Sequence, residues 1–268
     1  MEKIDVIVQV YGKPWQTLCT LKSLMLHSGY LIDKIYLIEE FQHPFKDNIE
    51  NVFKYNLPII HKKYDKFINI YGTWAKDVPI ENIRHQWGIE QSNKKYIFII
   101  HNDVLFTKDI IGNMLNEIGD NVAIGEIGQC WNCPALSLCG GGEKWNNWNP
   151  SFEDVSKLDL PYIRTRKEDL NIQHPKLMPE CRVNEWAILI NREICIKEGR
   201  PYFGEFVHDS GTEWFKCMYR KGYNFKDYRT GFIHAYWANN GGHEVEQKEK
   251  LYWESEEKAK KYFKQNFE

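Results

Sequence analysis

Short runs of β-branched residues alternate with segments whose apolar positions recur every three or four residues, and the alternation holds from the N-terminus to residue 127. "IDVIVQV" has strand character, and Gly12, Lys13 and Pro14 break it. "WQTLCTLKSLMLHSG" follows with helical periodicity, closed by Gly29. "DKIYLIEE" predicts a second, fully buried strand, and "NIENVFKYN" with "LPIIHKK" predicts a further helix and strand. "IENIRHQWGIEQSN", "YIFII", "KDIIGNMLNEIG" and "NVAIGEIG" continue as helix, strand, helix, strand. Such a rhythm is compatible with little besides an α/β fold, an open and mostly parallel sheet with helices on both faces.

The rhythm fails over 128–182, where Gly, Trp, Asn and Pro accumulate, and an irregular insertion on the acceptor side of an enzyme is expected there. Order returns with "NEWAILINREIC" and with "GTEWFKCMYRKGYNF", whose Trp214, Phe215, Met218 and Tyr219 share a helix face. The expected organisation is a single catalytic domain over 1–244 and a charged amphipathic helix over 245–268. A stripe through Tyr252, Ala259, Tyr262 and Phe263 should dock that helix onto its own domain.

Composition removes several classes. A formal net charge of −2 gives no basic excess for a nucleic-acid partner. The apolar run at the N-terminus is too short for a signal peptide, no segment approaches a membrane span, and a cytoplasmic location is expected. The seven cysteines are then reduced thiols. "CWNCPALSLC" groups Cys130, Cys133 and Cys139, with Cys181 as a conceivable fourth zinc ligand; because a second tight pair is missing, buried thiols in an insertion are the preferred reading.

In an open α/β sheet, ligands bind beyond the carboxyl ends of the parallel strands. Val10, Tyr11 and Gly12 end the first strand, Glu39 and Glu40 the second, and "HND", His101 to Asp103, the one before residue 104. Together they line one cleft. "YGKPWQ" has neither the dinucleotide nor the P-loop glycine pattern, so a bound diphosphate must be met by a divalent cation or by Lys and Arg. Asp103 with a distant His supplies a suitable ligand set. The plainer alternative for acids here is helix capping, by Thr107 or Asp109 among others.

"IRHQWGIEQSNKKYIFIIHNDVLF" resembles a stretch of the family 2-type glycosyltransferases of GT-A (Rossmann-like) fold, with Gly88 eight residues before Tyr96 and Tyr96 seven before Asp103. The resemblance implies that Asp103, at the last acid of the D-x-D motif, binds Mn²⁺ or Mg²⁺ on a nucleotide-sugar donor, with His101 at the motif's other acidic position. It places Val10 and Tyr11 at the nucleoside and Glu39 or Glu40 at the base or ribose. "GFIHAYW" resembles the later strand whose His reaches the metal, nominating His234. In the acceptor-side acidic motif Glu213 matches the second acid and Gly211 stands at the first, with Asp209 just before, so the general base is Asp209 or Glu213. The implied activity is transfer of a sugar, from a UDP-sugar by preference, to a hydroxyl of a glycan or glycoconjugate, with inversion if that base acts.

Beyond the resemblance, Trp131, Trp145, Trp148 and Trp237 sit among Asn and Gly and are candidates for an acceptor platform, or else they pin long loops. Arg84 and His85 are candidates for the diphosphate, and His243 after two glycines for a lid. Two rival functions remain, a GT-A-like sugar- or nucleotide-binding protein with a decayed site and a sugar nucleotidyltransferase. Oligomeric state is not legible.

Overall fold

The computed structural model describes residues 2–64, 83–130, 133–151, 153–154, 157–158, 180–205, 210–238 and 248–268. Its main sheet contains β1 (Ile4–Val10), β2 (Ile32–Glu39), β3 (Ile59–Lys63), β4 (Tyr96–Ile100), β6 (Ala123–Ile127), β7 (Val183–Asn191) and β8 (Phe225–Asp227). Their spatial order is β3-β2-β1-β4-β7-β6-β8. All neighbours run parallel except β7, which is antiparallel to both β4 and β6. A two-stranded ribbon, β5 (Val104–Phe106) with β9 (Phe232–His234), stands apart from it.

The period-two alternation of β1 explains its central place. Val6, Val8 and Val10 pack into one buried cluster and Ile7 into another, so both faces of the strand are covered. Helices α1 (Pro14–Ser28), α2 (Gln86–Gln91), α3 (Ile110–Glu117), α4 (Leu136–Cys139), α5 (Lys144–Asn147), α6 (Arg192–Glu198), α7 (Thr212–Arg220) and α8 (Glu249–Asn266) are described. Asp109 caps α3, accepting from the Gly112 N–H at 3.0 Å.

One local expectation fails for an identifiable reason. The segment after residue 48 makes only a 3₁₀ turn over Glu50–Lys54, since Asp47 and Asn48 side chains bond the nearby backbone N–H groups of Asn48 and Glu50 in place of a helical ladder. Gly29 does close α1, as its C-cap, though at a right-handed φ of −59, and the chain leaves the helix through a 3₁₀ turn over Gly29–Leu31.

The start of α1 has no cap of its own. Gly12 and Lys13 are both left-handed, at φ 69 and 57, and Pro14 opens the helix. The cap comes from α8, far along the chain. Glu256 accepts from the N–H groups of Trp15 at 2.8 Å and Gln16 at 3.3 Å. Tyr252 accepts from the Lys13 N–H at 2.7 Å and donates to Asp47 at 2.7 Å. Tyr252, Ala259 and Phe263 are buried along the face that carries these groups, and Trp15 meets Phe263 at 5.7 Å. A side chain on Gly12 would strike the Tyr252 hydroxyl at 2.5 Å.

Replacing Tyr252 by Phe leaves the buried Lys13 N–H without an acceptor and should cost about 1–3 kcal/mol of stability, read as a lower urea midpoint. An unchanged midpoint would show that α8 does not hold the turn.

Candidate metal and donor site

Three side chains converge where β4 ends. His101 Nδ1 lies 3.3 Å from His234 Nε2, which is 3.5 Å from Asp103 Oδ1, and His101 Nδ1 is 4.0 Å from that oxygen. One ligand atom from each falls within 4.8 Å of the others; among the described residues no other group of His, Cys, Asp or Glu does so. The ribbon brings His234 here, because β9 pairs it with Val104, the residue after Asp103. The Trp186 ring lies 4.5 Å from the His234 ring and nearly parallel to it, and the Trp186 carbonyl accepts from the His101 N–H at 3.3 Å.

Asp103 is 3% exposed. Burial alone would raise its pKa, but the Lys13 ammonium, with the His234 and His101 rings beside it, outweighs that and holds the carboxyl well below the usual range. Lys13 Nζ donates to Oδ2 at 3.1 Å in a buried ion pair. Oδ1 has no hydrogen-bond partner among the described residues. A buried, ionised oxygen without a donor is costly unless a cation meets it.

His101 is oriented from behind. Its Nε2 lies 3.0 Å from Glu185, which also meets His85 at 3.4 Å and Arg84 at 3.8 Å. Burial would raise the Glu185 pKa, but hydrogen bonds from His101 and His85 and the charges of His101 and Arg84 keep it well below its ordinary value. With Nε2–H donating to a carboxylate, Nδ1 is the atom turned toward His234 and Asp103, as in carboxylate–histidine–metal arrangements. Burial lowers the His234 pKa to about 4, so that ring is neutral and can ligate. Two imidazoles and one carboxylate fit a divalent transition-metal ion.

The remaining candidates divide. Glu39 is engaged by β3 and its neighbour: Lys63 at 2.6 Å, His61 at 2.7 Å and His43 at 3.1 Å. Glu40 is bonded by the Gln9 amide and lies 3.9 Å from Arg84. Val10 contributes only backbone, because its side chain is core and its carbonyl accepts from the Glu40 N–H. Tyr11 is half-buried beside it. The Asn102 amide donates to Gly12 O at 3.0 Å and Thr17 Oγ1 at 3.1 Å, so it ties the strand end to the α1 turn.

Glu213 is half-buried in the first turn of α7, and a Cβ on neighbouring Gly211 would stand 3.7 Å from Val183 O, at the start of β7 on the same rim. Asp209, Trp131 and His243 lie outside the described residues. Trp145 and Trp237, expected as platform residues, are only 4% and 3% exposed. Trp145 packs on Phe215 and Tyr219 of α7, and Trp237 on Tyr236 and on Tyr262 of α8. They are core side chains, whereas Trp148 is partly exposed. Lys13, Glu185 and Trp186 escape the sequence reading. Lys13 looks like a turn residue, and the other two sit at the beginning of β7, whereas the rule for parallel strands points to carboxyl ends.

The architecture around this site is the GT-A fold, an open α/β sheet with a C-terminal helix. No protein-family model and no curated protein matches the sequence. Among solved structures, the mannosyltransferase PcManGT from Pyrobaculum calidifontis, in complex with GDP-Man and Mn²⁺, is similar over 91% of this chain at 10% identity with a TM-score of 0.56. The chain spans 60% of that protein's length. S. aureus TarS (residues 1–349) is similar over 86% of this chain and 59% of its own, at 14% identity and TM-score 0.48. The 4-diphosphocytidyl-2C-methyl-D-erythritol synthase of Anaerococcus prevotii DSM 20548 is similar over 85% and 88%, at 10% and 0.47. Among the described residues no helix is long and apolar enough to cross a membrane.

The Glu39 cluster generates a pH prediction. Burial raises its pKa, but the bonds from His43, Lys63 and His61 bring it down to about 2 from an ordinary value of 4.5. A depressed folded-state pKa stabilises the protein above the unfolded value, and the contribution disappears as pH falls through the folded one. Urea midpoints of the native chain should therefore drop between pH 4.5 and 2 more steeply than those of Glu39→Gln. Parallel curves would refute the assignment.

Proposed function

We propose that the chain transfers a glycosyl group from a nucleotide-sugar donor to a hydroxyl of a glycan or glycoconjugate, with His101, Asp103 and His234 holding a divalent cation. The observation that carries this is the buried, ionised Asp103 Oδ1, which has no donor among the described residues and is faced by two imidazole nitrogens at the ligand-binding rim. The likeness to a fold represented by a GDP-Man and Mn²⁺ complex supports it. Imidazole ligands favour Mn²⁺ over Mg²⁺. When bound, such an ion offsets the charge that develops on a departing diphosphate.

The chain's own residues do the rest. Glu185 fixes the His101 ring, and the Trp186 ring fixes that of His234. Lys13 holds a second positive charge beside Asp103, which would help offset the charge of a diphosphate bound there. Arg84 lies between Glu40 and Glu185, on the donor side. Glu40, which β3 does not engage, is the better of the two rim acids for a ribose hydroxyl or base. Glu213 or Asp209 takes the acceptor proton as the hydroxyl attacks the anomeric carbon from the opposite face, which inverts configuration.

A panel of UDP-, GDP- and dTDP-sugars, assayed for hydrolysis and transfer with and without Mn²⁺, tests the reading. Asp103→Asn should lower turnover at least about a hundredfold. Glu185→Gln should weaken Mn²⁺ binding by about 10–100-fold. Sugar nucleotides that bind tightly and never turn over would favour a decayed binding protein instead.

Lys13→Met leaves a buried carboxylate without its ion-pair partner. The metal-free variant should lose about 3–5 kcal/mol of stability, and Mn²⁺ should restore more in the variant than in the native chain. Equal Mn²⁺ effects on the two thermal midpoints would count against a cation at Asp103.

A further inference from the structure

We propose that Cys130, Cys133, Cys139 and Cys181 form a second metal site, a four-thiolate centre for a structural zinc ion that fastens the segment after β6 to the start of β7. All four side chains line one cavity, with Trp145 and Trp148 on its wall. None is in a disulfide. The sequence shows only one tight pair; the structure supplies the missing partner.

Each thiol arrives there for a backbone reason. The Cys133 N–H donates to Cys130 O at 3.2 Å, which holds the two residues together. Cys139 ends α4, and Gly140, Gly141 and Gly142 follow it with φ of 76, 69 and 54, a left-handed run that other residues rarely adopt. That run folds the chain back onto Cys130: a Cβ at Gly141 would meet its sulfur at 2.9 Å, and one at Gly128 would meet it at 2.8 Å. Cys181 is set by strand-like pairing just before β7. The Gln129 N–H donates to Glu180 O at 3.0 Å and the Gly128 N–H to Arg182 O at 2.7 Å. Cys181 is thereby held opposite the residues that lead into Cys130.

Among the described residues, Ala135 and Trp145 tie this segment to the buried cluster. α4 and α5 are four residues each, too short to persist by their own hydrogen bonds. A thiolate-bound ion is a common staple for a segment with so small a core. No three of the four sulfurs lie within 4.8 Å of one another here. Zn–S bonds of about 2.3 Å would require them about 3.8 Å apart, so on this proposal the ion draws the sulfurs together. The two sites differ in softness, thiolates selecting zinc and the His/Asp/His group accepting harder ions.

Metal analysis of the full chain, purified without chelators, tests this independently of any transferase activity. About one zinc per chain is expected, retained in Asp103→Asn and lost from Cys133→Ala and Cys181→Ala. Should those variants not fold, the native chain reconstituted with Co²⁺ still decides: tetrahedral thiolate ligation gives intense visible bands and a near-ultraviolet sulfur-to-cobalt charge transfer. A zinc-free native protein without that charge-transfer band, zinc that leaves with Asp103, or iron–sulfur absorption would each overturn the proposal.

Discussion

A carboxylate that is fully ionised yet almost wholly removed from water sits at the middle of this molecule's rim, and its neighbours are arranged around that cost. Asp103 has Lys13 against one oxygen and two imidazoles facing the other. Behind His101, charge alternates outward through Glu185, Arg84 and Glu40. Each member keeps the next ionised or oriented, so the rim is a single electrostatic unit. Buried networks of this kind are tolerable only when nearly every member is satisfied. Asp103 Oδ1, without a hydrogen-bond partner among the described residues, is where the proposed function puts an outside charge.

The scaffold invests its longest-range contact in the same place. The turn that presents Lys13 has two consecutive left-handed residues and a helix start without a local cap. The two α8 side chains that complete it come from more than two hundred residues away in sequence. Packing of α8 along α1 therefore does more than bury apolar surface: Tyr252 sets the backbone from which the ammonium reaches Asp103. Stability of the C-terminal helix and geometry of the rim are thereby coupled.

What was legible in the sequence follows from the period of its patterns. Parallel strands buried on both faces announce themselves as β-branched runs, which is why β1, β2, β4 and β6 and the residues at their C-terminal ends, Asp103 included, were readable. β7 carries the same kind of run, but it is antiparallel, so its first residues reach the rim. A rule that looks for function at strand ends looks past Glu185 and Trp186. His234 was nominated by resemblance, and only the pairing of β9 with β5 shows why it lies near Asp103. Trp145 and Trp237 misled for the opposite reason. Their flanking Asn and Gly suggest loops, while the helices that bury them are distant in sequence. Asp209 and Trp131 fall outside the described residues.

The exchange of an acid for His101 in the D-x-D position changes the charge balance of the proposed reaction in a way that can be followed through. With Lys13 opposing Asp103 and Arg84 between Glu185 and Glu40, the rim carries little net charge before any ligand arrives, the imidazole of His234 being neutral. A second carboxylate would attract a cation strongly on its own; an imidazole does so less. A diphosphate entering alone would meet Asp103 and Glu185, and a cation entering alone would meet Lys13 and Arg84. On the proposed reading each ligand relieves the repulsion felt by the other, so by linkage the affinity of either must rise by the same factor when its partner is present. A rim with this balance favours binding the ion together with its nucleotide over holding the ion permanently.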